Sequence, residues 1–130
     1  MLIAAGVVLF VLGALHSSLG ERLIFRFFPG APHFRPLGFP PVVGARQSPV
    51  TSLRTTWHHL TIVGWTLAVI LVRFGGRPEL AAGERFVVRA IAACLAVSAV
   101  LWFAGSRGRH VAWIGFLLAA TLAWLGARAD

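Results

Sequence analysis

Four runs of mostly apolar residues, each near the length that crosses a bilayer, constrain this sequence more than anything else in it. They cover Met1 to about Gly20, Thr55 to Phe74, Phe86 to Gly105 and His110 to Ala127. A bilayer core of about 30 Å takes roughly 20 residues of helix. Lipid offers no partner to an open backbone N–H or C=O, so each run has to be helical. Charged residues make up 12% of the chain and hydrophobic ones 58%, too few polar groups to cover a water-soluble globule. The same balance excludes a disordered tail, and the lone Cys94 excludes a disulfide-built module. The sequence predicts an all-α integral membrane four-helix bundle, one transmembrane domain over residues 1–130. The first run has no basic residues before it and is long for a signal peptide, so it reads as a span that is kept.

The connections differ in kind. Ser106 to Arg109 is short enough to make the third and fourth helices antiparallel neighbours. A turn around Gly75-Gly76-Arg77-Pro78 joins the second to the third. The long loop, 21–54, opens with an amphipathic stretch over 21–28, expected as an interfacial helix against the headgroups. Pro29, Pro32, Pro36, Pro40 and Pro41 then forbid helix. Phe34, Leu37, Phe39, Val42 and Val43 make that part apolar enough to fold back as a cap. Ser48-Pro49 reads as a helix start, since proline is tolerated in a first turn. The likeness of Gly20–Arg26 to Gly83–Arg89 places its copies at opposite ends of spans, so it is no repeat.

Net charge is +8, and all 12 basic residues are arginine. In a soluble protein that excess would suggest nucleic acid. Here the arginines flank apolar spans, where headgroups and topology rules put them, so no nucleic acid is expected and the bilayer is the partner. The all-arginine, Ala- and Gly-rich composition suggests a GC-rich bacterium and its inner membrane. Seven arginines (22, 26, 35, 46, 54, 107, 109) fall on the long-loop side and five (73, 77, 85, 89, 128) on the other. The excess favours a cytoplasmic long loop.

The five histidines, His16, His33, His58, His59 and His110, all fall on the long-loop side. Gly6, Gly13 and Gly20 recur every seven residues with Leu9 and His16 beside them, a small-residue seam that lets membrane helices approach closely. His16 should therefore face protein. His58 lies one turn before a small face formed by Thr61, Gly64 and Ala68. His59 is turned about 100° from it, toward headgroup or loop. Neutral imidazole ligates transition metals, pairs axially on haem iron and carries protons. His16, His58 and His110 are thus candidate ligands for a metal ion, haem or lipid-like molecule, with Glu21 and His59 as outer partners orienting an imidazole. The plainer alternative is a polar cap in which the histidines bond to loop backbone, water or Glu21. No HxxxH or HxxE pair strengthens the metal reading.

Glu21 is the one acid on this side. With Arg22, Arg54, Arg107 and Arg109 it makes either an anion or headgroup site or a salt-bridged rim. Trp57, Trp102 and Trp113 read as interfacial anchors, Cys94 as a small packing residue, and Arg89 as snorkelling to the terminal side. No phosphate loop, CxxC motif or Ser/His/Asp set is evident.

Leu15-His16-Ser17-Ser18-Leu19-Gly20-Glu21-Arg22, Thr56-Trp57-His58-His59-Leu60 and Gly105-Ser106-Arg107-Gly108-Arg109-His110 together resemble a family of small bacterial four-span inner-membrane proteins. The resemblance implies a four-span fold over nearly the whole chain and matches His16, Glu21, His58 and His110 to its motifs; it implies no activity. Two functions stay open: a ligand-binding membrane protein with a histidine site, or a non-catalytic partner or assembly subunit of a larger complex, which includes a homo-oligomer.

Overall fold

The structure is a computed structural model that describes residues 1–27 and 49–128. Among these residues it is all helical, with four α-helices: α1 (Leu2–Leu19), α2 (Pro49–Gly75), α3 (Ala82–Ser106) and α4 (Ala112–Gly126). α1 continues through a π-helical turn, Gly20–Ile24, into a single 3-10 turn, Phe25–Phe27. The first span with these turns, α2 from Ser52, and α3 are long and apolar enough to cross a membrane; α4 is a shorter apolar helix of 15 residues. The proline-rich cap and His33 lie outside the described residues. The amphipathic stretch expected over 21–28 is helical through Phe27, but as tightening and widening turns continuous with α1 and not as a separate helix.

Helix ends follow local chemistry. α2 begins at Pro49, earlier than the apolar run, because proline at the first helical position forfeits no hydrogen bond. The Glu84 carboxylate accepts the Ala81 N–H at 3.0 Å and so caps the start of α3, while Arg77 pairs with the same carboxylate. α3 ends where Arg107 and Gly108 both adopt positive φ, 52° and 76°. Their N–H groups close on the carbonyls of Ala104 (3.2 Å) and Phe103 (2.8 Å), the left-handed stop that satisfies a helix C-terminus. The chain reverses there, and the His110 side chain takes up the first N–H of α4, from Ala112, at 3.2 Å.

α1 packs along α2 and α4, and α4 along α3, whereas α2 and α3 barely touch. The helices are therefore ordered α2–α1–α4–α3, open along the α2/α3 side. The glycine row of α1 faces α2. A Cβ at Gly13 would fall 2.6 Å from the Trp65 indole nitrogen, and one at Gly20 would collide with Trp57. Because those positions have no side chain, both indoles reach the α1 backbone: Trp65 donates to the Phe10 carbonyl and Trp57 to that of His16, each at 3.0 Å. Trp57 is thus a seam residue. Cys94 is exposed, not packed.

The continuous apolar core belongs to the half of the molecule where α1 begins and α2 and α4 end. Leu71 and Val88 are its largest fully enclosed side chains, surrounded chiefly by alanines such as Ala5, Ala68, Ala92, Ala119 and Ala123. Small residues bring the helices close, and close approach multiplies dispersion contacts.

Candidate functional site: a polar chain between two helices

The opposite end is built from two pairs of polar residues. Ser17 and Glu21 are four apart on the first helical segment, and Arg54 and His58 are four apart on α2. That spacing puts the members of each pair on one helix face. The antiparallel seam then sets Ser17 beside His58 and Glu21 beside Arg54. The Ser17 Oγ and His58 Nδ1 atoms are 2.5 Å apart, and His58 Nε2 and Glu21 Oε1 are 2.6 Å apart. Arg54 holds the carboxylate in a fork, its Nε donating to Glu21 Oε1 at 2.6 Å and its Nη2 donating to Oε2.

The direction of the hydrogen bonds follows from the carboxylate. An ionised Glu21 gripped by Arg54 can only accept, so His58 Nε2 carries the hydrogen. In neutral His58 the Nδ1 lone pair is then free to accept the Ser17 hydroxyl proton. A carboxylate fixing the tautomer of an imidazole in this way is how a histidine is prepared as a base. Beneath the chain, buried Phe25 meets Trp57 edge-on at 5.7 Å and lies under the Arg54 guanidinium at 6.0 Å. The side chains of His58 and Glu21 remain 35% and 32% exposed.

His16 lies one layer deeper. Its ring stacks on Trp57 at 4.1 Å with the planes 7° apart. Its Nε2 is buried without a hydrogen-bond partner among the described residues, as is the hydroxyl of Thr61. Thr61 is 4% exposed, and its methyl lies against Gly13, one turn from His16. The two orphaned atoms therefore belong to the same stretch of the α1/α2 seam.

Among the described residues, no three His, Cys, Asp or Glu side chains assemble as a group that could hold a metal ion. His16, His58 and His110 share one end of the molecule, but the expected three-imidazole set does not form. Both nitrogens of His58 are engaged, and His110 lies against Trp102, 4.7 Å between ring centres. Glu21 bonds directly to His58, the contact by which a carboxylate orients an imidazole. His59 is exposed, as are Arg22, Arg107 and Arg109, which ring the same end. Of the arginines proposed for an anion site, Arg54 is the one bound to Glu21.

Sequence reasoning found His58, Glu21 and Arg54 but not Ser17, and it set aside a serine, histidine and carboxylate combination that the tertiary contacts do assemble. The signal was present as the two four-residue spacings, Ser17/Glu21 and Arg54/His58, on helices that the long loop returns antiparallel. Comparison with family models, curated proteins and solved structures finds no match to this chain. The chemistry of the site rests on its own geometry.

Proposed function

We propose that this chain is a multi-pass protein of a bacterial inner membrane, a four-helix membrane bundle of the small four-span kind it resembles, whose arginine- and histidine-bearing end binds the headgroup of a lipid-like ligand. The observation that carries this reading is the Ser17–His58–Glu21–Arg54 chain, at the end of helices whose flanks present large apolar side chains. Phe10, Leu60, Val69, Phe86 and Leu101 are all at least half exposed. Large apolar side chains exposed in such number on every long helix fit lipid contact. α4 reaches across with help from its flanking turns, as a short span does by local thinning and snorkelling.

Three ligand classes follow from the histidines, and the contacts favour the lipid-like one. An ion or a haem bound at His58 would have to displace Ser17 or Glu21 from it. An anionic headgroup need displace nothing, because Arg22, Arg107 and Arg109 are exposed at the same end of the bundle and guanidinium forks suit phosphate. The arginine excess on this side favours placing it in the cytoplasm.

The test is lipid retention. Purified in mild detergent with phosphatidylglycerol, the protein should keep bound lipid in native mass spectrometry. Replacing Arg22, Arg107 and Arg109 together by Gln should lower that retention about tenfold, the effect of losing roughly one charge-assisted contact. Equal retention of phosphatidylglycerol by both forms, or a stoichiometric metal or haem band in its place, would refute the reading.

A further inference from the structure

We infer that Ser17 is the nucleophile of an acyl-transfer site, with His58 as its general base, acting on the ester bond of a membrane lipid. This rests on the lipid-like ligand proposed above and names the reaction at that site.

The first argument is a contrast within the molecule. A helical serine or threonine hydroxyl ordinarily bonds back to the carbonyl four residues earlier. Ser98 does so to Cys94, Ser106 to Trp102, Thr66 to Ile62 and Thr121 to Leu117. Ser17 instead points its hydroxyl at an imidazole on another helix, 2.5 Å away. The second is the hydrogen-bond direction derived above, which leaves the basic lone pair of His58 aimed at that hydroxyl. A nucleophile within hydrogen-bond reach of a base, itself oriented by a third group, is the general arrangement for nucleophilic catalysis. The ring nitrogens are exchanged relative to serine proteases, where the serine faces Nε2, but the logic is unchanged: the carboxylate decides which nitrogen is free. The third is position. Ser17 is one turn before Glu21, the first charged residue of the chain, at the depth where apolar helix gives way to headgroup. Lipid ester carbonyls lie at that border.

The step balances with water as the co-reactant. Ser17 Oγ bonds to the ester carbonyl carbon as its proton passes to His58 Nδ1. The tetrahedral centre collapses, the bond from carbon to the lipid alcohol oxygen breaks, and that alcohol leaves with the proton from Nδ1. Water then attacks the acyl-serine and gives a proton to Nδ1; the fatty acid departs as Ser17 Oγ regains its hydrogen. Exposed Arg22, Arg107 and Arg109 make this end of the molecule positive, which favours an anionic intermediate there. Glu21 and Arg54 are positioning residues that hold the tautomer.

The test uses the full chain in phosphatidylglycerol nanodiscs and a long-chain alkyl fluorophosphonate, which bonds an activated serine oxygen to phosphorus and releases fluoride. Peptide mapping should find one adduct, on Ser17. Ser17→Ala should abolish it. His58→Gln should slow it about 100-fold, the lower range of general-base catalysis, and Glu21→Gln should slow it less. Helical signal should stay unchanged in all three, which a purely structural role would not allow. Ser98→Ala should label at the wild-type rate. Lipid retained with Ser17 unlabelled at excess probe would overturn acyl transfer alone. Neither retention nor labelling would overturn both readings. An adduct on another residue, or wild-type labelling in His58→Gln, would also sink this one.

Discussion

The two ends of this molecule solve the same packing problem in opposite ways. At the end where α1 starts, alanines let four helices close around Leu71 and Val88, and the enclosed surface is apolar throughout. At the other end the same α1/α2 seam carries Ser17, His16, Glu21, Arg54, His58 and Thr61, and two of its buried polar atoms lack partners among the described residues. One end is closed by apolar contacts and the other by hydrogen bonds between helices. The glycine row serves both. It admits Ala68 and Val72 near Gly6, and the indoles of Trp65 and Trp57 further along.

That contrast can be broken most forcefully at the apolar end. Leu71→Ala, at a fully enclosed position, should destabilise the protein by about 2–5 kcal/mol. An unfolding titration in mixed detergent micelles would measure it. A loss no larger than that of an exposed change such as Val69→Ala would show that this end is not the structural core. Next comes the seam. Gly13→Ala drives a methyl into the Trp65 indole, and overpacking of that kind costs about 1–3 kcal/mol. Trp65 fluorescence should change as the indole leaves the Phe10 carbonyl; unchanged emission and stability would mean that the helices are further apart than described.

The smallest effect sharpens the comparison at the polar end. Thr61→Val keeps the shape and removes a hydroxyl that finds no partner, so stability should stay level or rise by less than about 1 kcal/mol. A clear loss would reveal a bridging water or ligand shared with His16 Nε2, and would enlarge the site inward from the Ser17–His58–Glu21 chain.

Much of the architecture was legible because lipid-length apolar runs leave the backbone few options. The seam residues Gly6, Gly13 and Gly20 were legible too, since their spacing is a helix repeat. The short α4 was less so: the apolar run from His110 to Ala127 does not reveal that the left-handed turn at Arg107 and Gly108 delays the helix to Ala112. The histidines illustrate the limit most directly. Their places relative to the four apolar runs suggested that all five lie on one side and share a ligand. Their partners depended on rotation and register. His58 turned to Ser17 and Glu21, His16 lay flat on Trp57, and His110 capped α4 beside Trp102.

The sequence by itself determined four helical segments, an arginine- and histidine-rich end, and a glycine face on the first helix, because these follow from hydropathy and the period of a single helix. The tertiary structure alone decided that Ser17 meets His58 and Glu21 meets Arg54. Those contacts join residues some forty positions apart, and a shift of one residue in the antiparallel register would rotate one pair away from the other by about 100°. No property of either helix taken singly specifies that register; the indoles seated on Gly13 and Gly20 do.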